Sequence, residues 1–220
     1  MQPLRSNRRN FLINSAVCTL GTLLPLTAPA GIPHSRTPND EALFTIGPVK
    51  GYTPQIGTLV SMLNYNRYTV IQAVQKLNRE QIDFLFDPHA NTIAALVMHL
   101  GATETFYQIN TFEGRQEFNA EEKKLWEAPM ELGDKGRKEI KGNDIGYYLD
   151  LIAAVRSKTL AAFKEKDDAW LMAVDPKWSK PDRPLNTYWK WFHVCEHESN
   201  HRGQIAFLKS RLPGSKPSSE

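Results

Sequence analysis

Apolar residues recur at the three-and-four spacing of an α-helix in four long stretches of this chain, separated by polar connections carrying glycine and proline. The first opens at Thr53-Pro54, an N-cap position followed by proline at the first helical residue, and carries Ile56, Leu59, Val60, Leu63, Val70, Ile71, Val74 and Leu77. A connector over 78–90 includes Asn78-Arg-Glu-Gln81, which reads as a short capped turn. Ile93, Leu96 and Leu100 then begin a second stretch that reaches about Phe112. Residues 113–143 are polar and dotted with glycine, with room for one short helix around 120–126. A third stretch opens near Asn143 or Asp144 and carries Ile145, Tyr148, Leu149, Ile152, Val155, Leu160 and Phe163. A loop running from Asp175-Pro176 to Pro184 leads into the fourth, 188–212, whose stripe is Trp191, Val194, Ile205 and Leu208 and which stops at Pro213-Gly214.

No run shows sustained β-type alternation, and no internal repeat is present. Four helices of roughly 20 residues predict an all-α four-helix bundle over 53–213. Residues 31–52, rich in proline and glycine, read as an extended lead-in, and 214–220 as a disordered tail. The long connection between helices 2 and 3 leaves the topology free to depart from simple up-down-up-down.

The fourth stretch carries three of the six histidines, His193, His197 and His201, each four residues apart. On a helix such residues are stacked neighbours with β-carbons ~5–6 Å apart, so two imidazoles can converge on one ion. Imidazole suits zinc, nickel, copper and iron. A third donor is offered by His99, at the edge of the Ile93/Leu96/Leu100 stripe, where a side chain can point between helices. His34 and His89 sit in proline-bearing loops and are weak candidates.

The N-terminus reads as an address. Residues 1–30 combine a basic start, an apolar middle and a closing Ala28-Pro29-Ala30, as in a bacterial secretory signal. Arg8-Arg9 followed by Phe11-Leu12 resembles the twin-arginine type, which exports folded proteins, with Asn7 and Ile13 departing from the usual pattern. An exported, periplasmic protein is the expectation, with the signal either cleaved or retained as an anchor. Residues 15–17 make a poor lipobox before Cys18, and no other stretch approaches the ~20 apolar residues of a membrane span.

Taking away residues 1–30 removes Arg5, Arg8 and Arg9 and no acid, so the formal charge falls from +3 to zero and nothing resembles the basic footprint of a nucleic-acid binder. Cys195 then stands without a disulfide partner and reads as a packing residue.

Read literally, His197-Glu198-Ser199-Asn200-His201 matches the His-Glu-x-x-His motif of zinc hydrolases, with Glu198 as general base. That motif needs a downstream ligand, and after His201 the only acid is Glu220, with no further histidine. A second set of residues points elsewhere. His197-x3-His201-Arg-Gly-Gln-Ile, Val97-Met-His99-Leu-Gly-Ala-Thr-Glu104, Leu132-Gly-Asp-Lys-Gly-Arg and Leu151-Ile-Ala-Ala-Val-Arg156 together resemble the DinB/YfiT-like superfamily of metal-binding four-helix bundles over roughly 55–212. The resemblance implies His99, His197 and His201 as ligands of a divalent transition metal such as zinc, nickel, iron or manganese. His193 then becomes a pocket residue or a donor supporting the ligands, and Asn200 stands where relatives often carry another histidine.

The resemblance further implies a metal-dependent transferase or hydrolase acting on a small molecule, with water or a low-molecular-weight thiol such as mycothiol or bacillithiol as nucleophile. It also implies a homodimer. Glu104, Glu198 and His193 are the candidate catalytic groups, with Glu196 a further carboxylate. Phe106, Tyr107, Trp189, Trp191 and Phe192 are candidate pocket linings. The competing reading is a non-catalytic metal- or ligand-binding module, which would show a filled ligand shell or a bare surface site in place of a concave pocket.

Overall fold

The computed structural model describes residues 43–215; the signal-like residues 1–30, most of the lead-in and the last five residues lie outside them. The described residues form eight helices and no strand, and four of the helices are long. These are α1 (Pro54–Val74), α3 (Ile93–Phe112), α6 (Ile145–Lys164) and α8 (Thr187–Lys209). The short ones are α2 (Arg79–Ile82), α4 (Ala120–Glu131), α5 (Gly133–Glu139) and α7 (Asp168–Met172). None among the described residues is long and apolar enough to cross a membrane.

α3 packs against α6 and α8, and α1 packs against α8 and α6, so α1 and α3 lie across the diagonal. Among the sequence-adjacent long helices only α3 and α6 pack closely, so the fold is not a simple up-down-up-down bundle. Trp191, Val194, Ile205 and Leu208 are all buried, as their spacing predicts.

Local chemistry sets the helix ends. Thr53 occupies the N-cap of α1 but makes no cap of its own; its hydroxyl donates to Asp168, whose carboxylate also accepts from the backbone N–H groups of Gln55 and Ile56. A side chain from α7 thus satisfies orphan donors at the start of α1. Gly57 is required by a close approach, since a β-carbon there would lie 2.5 Å from the Val49 nitrogen.

The 113–143 connection holds more helix than its composition suggests. α4 continues past 126 to Glu131, started by a reciprocal Asn119–Glu122 capping box and anchored by buried Trp126. A β-carbon on Gly101 would meet the Trp126 ring at 3.1 Å, so the ring lies directly on the α3 backbone. The turn to α5 passes through Leu132 and Gly133, both at positive φ.

The core divides in two. One apolar cluster contains Val70, Leu96, Ala102, Ile152, Val155 and Ile205; the other contains Leu63, Tyr107, Phe163, Trp191 and Val194. Between them on all four long helices sit charged residues: Arg67, Glu104, Arg156 and Glu198, each at most 7% exposed. Arg156 donates to both oxygens of Glu104 at 2.7 and 3.1 Å and to Glu198 at 2.8 Å. Arg67 donates to Glu104 at 2.9 Å and, through Nε, to Glu198 at 3.0 Å. The spare guanidinium donors reach the carbonyls of Leu63 and Ile152, and Thr159 donates to Glu104 at 2.6 Å. Burial works against ionisation of Glu104, but the neighbouring Arg156 and Arg67 prevail and hold its carboxyl below the usual range. Two cations meet two anions, so the belt is formally neutral.

Candidate metal centre

α3 and α8 bring together the three histidines singled out above. His99 Nε2 lies 3.2 Å from His197 Nε2, and His201 Nε2 lies 3.0 Å from the same atom. All three ligand atoms fall within 4.8 Å of one another. His197 and His201 meet because they are one turn apart on α8. His99 joins them because the charged belt fixes the axial register of the two helices: Glu104 lies five residues beyond His99, and Glu198 lies between the other two histidines.

The tautomer of His99 is set from α4. Gly133, four residues after Pro129, turns away at positive φ and donates its N–H to the Asn91 side chain at 3.0 Å. The Pro129 carbonyl, left without its helical partner, accepts from His99 Nδ1 at 2.7 Å. Nε2 of His99 is thereby left with its lone pair toward the other rings, the arrangement that orients imidazole ligands in metal sites. Gln204 Oε1 lies 3.2 Å from His201 Nδ1 and plays the same part there.

The rings are held neutral. Burial, opposed by the Pro129 bond and reinforced by His201, lowers His99 from 6.5 to about 4. Burial and the charges of His201, His99 and His193 lower His197 to about 3, and burial also lowers His201. Three neutral nitrogens at short range, with the outer nitrogens of His99 and His201 engaged, are a donor set that fits a borderline metal ion.

The shifts make a prediction for the metal-free protein. Between the folded values and 6.5 the unfolded chain binds more protons, so stability rises with pH in that window. Stability is fully present above about 6.5 and is lost as pH falls toward about 4 for His99 and about 3 for His197. Urea titrations of metal-free protein at pH 7 and pH 5 should show this loss, and His197→Gln should shrink it. An unchanged pH slope in that variant would contradict neutral burial of the ring.

The other candidates separate. Glu104 and Glu198 belong to the buried belt, tied to Arg67 and Arg156, and so are structural rather than poised for proton transfer. His193 stands one turn before His197, its ring centroid 5.4 Å from that ring, with Nδ1 on Glu196 at 2.8 Å. It stacks on Trp189 at 5.4 Å and meets the edge of Tyr107 at 5.9 Å. Burial and then Glu196 push the Tyr107 phenol up to about 12, so it stays a neutral donor.

Trp191 and Tyr107 are core residues, Phe192 faces solvent, and Phe106 and Trp189 line clefts. Cys195 is buried, and Asn66 donates to its sulfur at 3.1 Å. His89 is exposed in its loop, and His34 lies outside the described residues. Arg67 and Arg156 are the residues that sequence reasoning missed as a pair. The signal was there, because each falls on its helix's apolar stripe.

A family model described as mycothiol-S-transferase matches residues 58–214. The chain belongs to this family. The DinB-like assignment drawn from the histidine motifs stands with it, and so does the all-α bundle. No curated protein matches the chain. Among solved structures, a conserved protein from Enterococcus faecalis shares 14% identity over 71% of this chain and 95% of its own, with a TM-score of 0.55. At that identity the likeness concerns the fold alone. For a member of the mycothiol-S-transferase family, the three-histidine cluster between α3 and α8 is the feature of the described residues that bears on chemistry.

Proposed function

We propose that this chain is a divalent-metal-dependent S-transferase that joins a low-molecular-weight thiol to a small electrophile, with His99, His197 and His201 holding the ion. The observation that carries the reading is the convergence of three neutral Nε2 atoms within 4.8 Å, in a chain of the mycothiol-S-transferase family. Among the described residues no fourth histidine, cysteine or carboxylate joins the cluster, which leaves room for an outside ligand and speaks for catalysis over storage. The donor set suits zinc, and also nickel or iron.

When bound, such an ion supplies Lewis acidity that lowers the pKa of a thiol or water at neutral pH. The chain's own residues do the rest. The Pro129 carbonyl and Gln204 hold the imidazoles in orientation, and the buried belt holds α3 and α8 in register. His193, tethered to Glu196 and clamped between Trp189 and Tyr107, is placed to accept the proton that the thiol gives up as its sulfur bonds to the electrophilic carbon. Tyr107, kept protonated, can donate to a developing anion on the electrophile.

The signal-like residues 1–30 support an exported location, by the twin-arginine route. Export also supports a second reading, a hydrolase that uses water at the same centre, because low-molecular-weight thiols are chiefly cytosolic. Metal-loaded protein incubated with 1-chloro-2,4-dinitrobenzene, with and without mycothiol, separates the two. The proposal predicts thioether formation with loss of chloride only when thiol is present. Thiol-independent release of dinitrophenol would overturn it in favour of hydrolysis.

A further inference from the structure

Beside the histidine cluster, the loop between α7 and α8 builds a second feature. A cleft of about 460 Å³ is lined by Trp178, Arg183, Pro184, Leu185 and Trp189. Its inner wall, Trp189, stacks face to face on His193, and His193 in turn lies 5.4 Å from His197. Its other indole, Trp178, is 6.0 Å from both Phe106 and Tyr107, and Tyr107 meets His193. The cleft therefore connects to the cluster through a continuous series of ring contacts.

The wall is built to hold its shape. Asp175 N–H donates to the Leu185 carbonyl at 2.8 Å, Leu185 N–H to the Ser179 hydroxyl at 2.9 Å, and Thr187 N–H to the Ala173 carbonyl at 3.0 Å. Lys180 and Arg183 exchange backbone hydrogen bonds at 3.1 and 3.0 Å across a Pro181-Asp182 turn. Beneath the loop, buried Lys190 binds Asp175 and Asn110 and lies 4.4 Å from the Trp178 ring centre. Trp178 Nε1 donates to Gln116 at 2.8 Å, fixing the indole to the α3–α4 connection.

One charged residue lines this apolar slot, and it is Arg183. Among the described residues its guanidinium makes no ion pair, whereas the arginines of the belt are saturated. Two indole faces ask for a flat apolar body, and a free guanidinium at the rim asks for a planar anion that it can grip with two parallel N–H bonds. Trp189 precedes His197 by eight residues, about 12 Å along a helix. A molecule spanning the distance would place its anionic end at Arg183 and its other end at the histidines.

We infer that the cleft is the specificity subsite of the proposed transferase, taking a small electrophile with an apolar, ring-like body and a carboxylate distal to the reacting carbon. This rests on the transferase reading for the identity of the reacting centre, but the cleft's ligand chemistry can be tested without turnover.

Calorimetric titration of the metal-loaded full chain with 1-naphthoate, 1-naphthamide and 1-naphthyl phosphate reads the subsite directly. The expected result is binding of naphthoate roughly tenfold tighter than the neutral amide, the effect of one charge-assisted contact. Arg183→Met, an exposed turn substitution, should erase that preference, and Trp189→Ala should weaken acid and amide alike. Equal affinity of wild type and Arg183→Met for naphthoate overturns the inference, as does tighter binding of the phosphate or no binding of any of the three. Metal content and thiol-dependent turnover, measured on the same preparations, keep the two readings apart. A chain that turns over dinitrochlorobenzene normally but ignores naphthoate loses the subsite alone. One that binds naphthoate through Arg183 without thiol transfer loses the reaction alone.

Discussion

Arg156→Met is expected to destabilise the chain by about 3–5 kcal/mol, the range seen when one partner of a buried ion pair is removed. The residue is fully enclosed by α1, α3 and α8 and supplies three of the contacts to Glu104 and Glu198. Without it two buried carboxylates share Arg67 alone. For a chain of this size the loss corresponds to roughly 6–20 °C in Tm. Adding Glu104→Gln to Arg156→Met should restore much of the stability, because it takes away the one uncompensated charge. Non-additivity of about 1 kcal/mol or more in that double-mutant cycle is the signature of the belt. Strict additivity would show that the four residues do not act together.

His99→Ala should behave in the opposite way. The ring is half-buried and neutral, and its one bond to the protein outside the cluster is to the Pro129 carbonyl. Folding stability should change by only about 1 kcal/mol, the net worth of a hydrogen bond. Metal affinity should fall by at least ~100-fold, beyond the 10–100-fold typical of losing a supporting group outside the ligand set. Thiol transfer should be lost with it. Retained affinity in a folded His99→Ala protein would assign the ion to α8 alone.

The four long helices were legible because each buries an apolar stripe that one charged position does not mask; Thr53-Pro54 opens α1, and Pro213-Gly214 follows soon after the end of α8 at Lys209. The histidine cluster was legible in part from the four-residue spacing of His197 and His201. Its third member, His99, stands 98 residues from His197; its place at the edge of the Ile93/Leu96/Leu100 stripe offered it as a donor between helices, and the resemblance in the Val97–Glu104 motif named it as a ligand. The stripes mark Arg67 and Arg156 as buried charges, but which carboxylates meet them depends on α1 and α3 lying across the diagonal, which no stripe encodes. Glu104 and Glu198, candidates for proton transfer by their position near histidines, are claimed by those arginines instead. α4 and α5 were underestimated because Pro129 and Gly133 read as loop. In the fold, Pro129 sits in the last turn of α4, where its carbonyl serves His99.

The aromatic wall around Trp178 was hidden for a related reason. The 173–186 loop has no periodicity, and its shape comes from Lys190, a buried lysine that a linear reading places on a polar helix face.

The central claim is that α3 and α8 together hold one ion through three imidazoles. Elemental analysis of wild-type protein and His197→Ala, both purified without chelators, tests it most directly. The account predicts about one equivalent of a divalent transition metal per wild-type chain and none in the variant. Wild-type protein without stoichiometric metal, or an equal content in the two proteins, would contradict it.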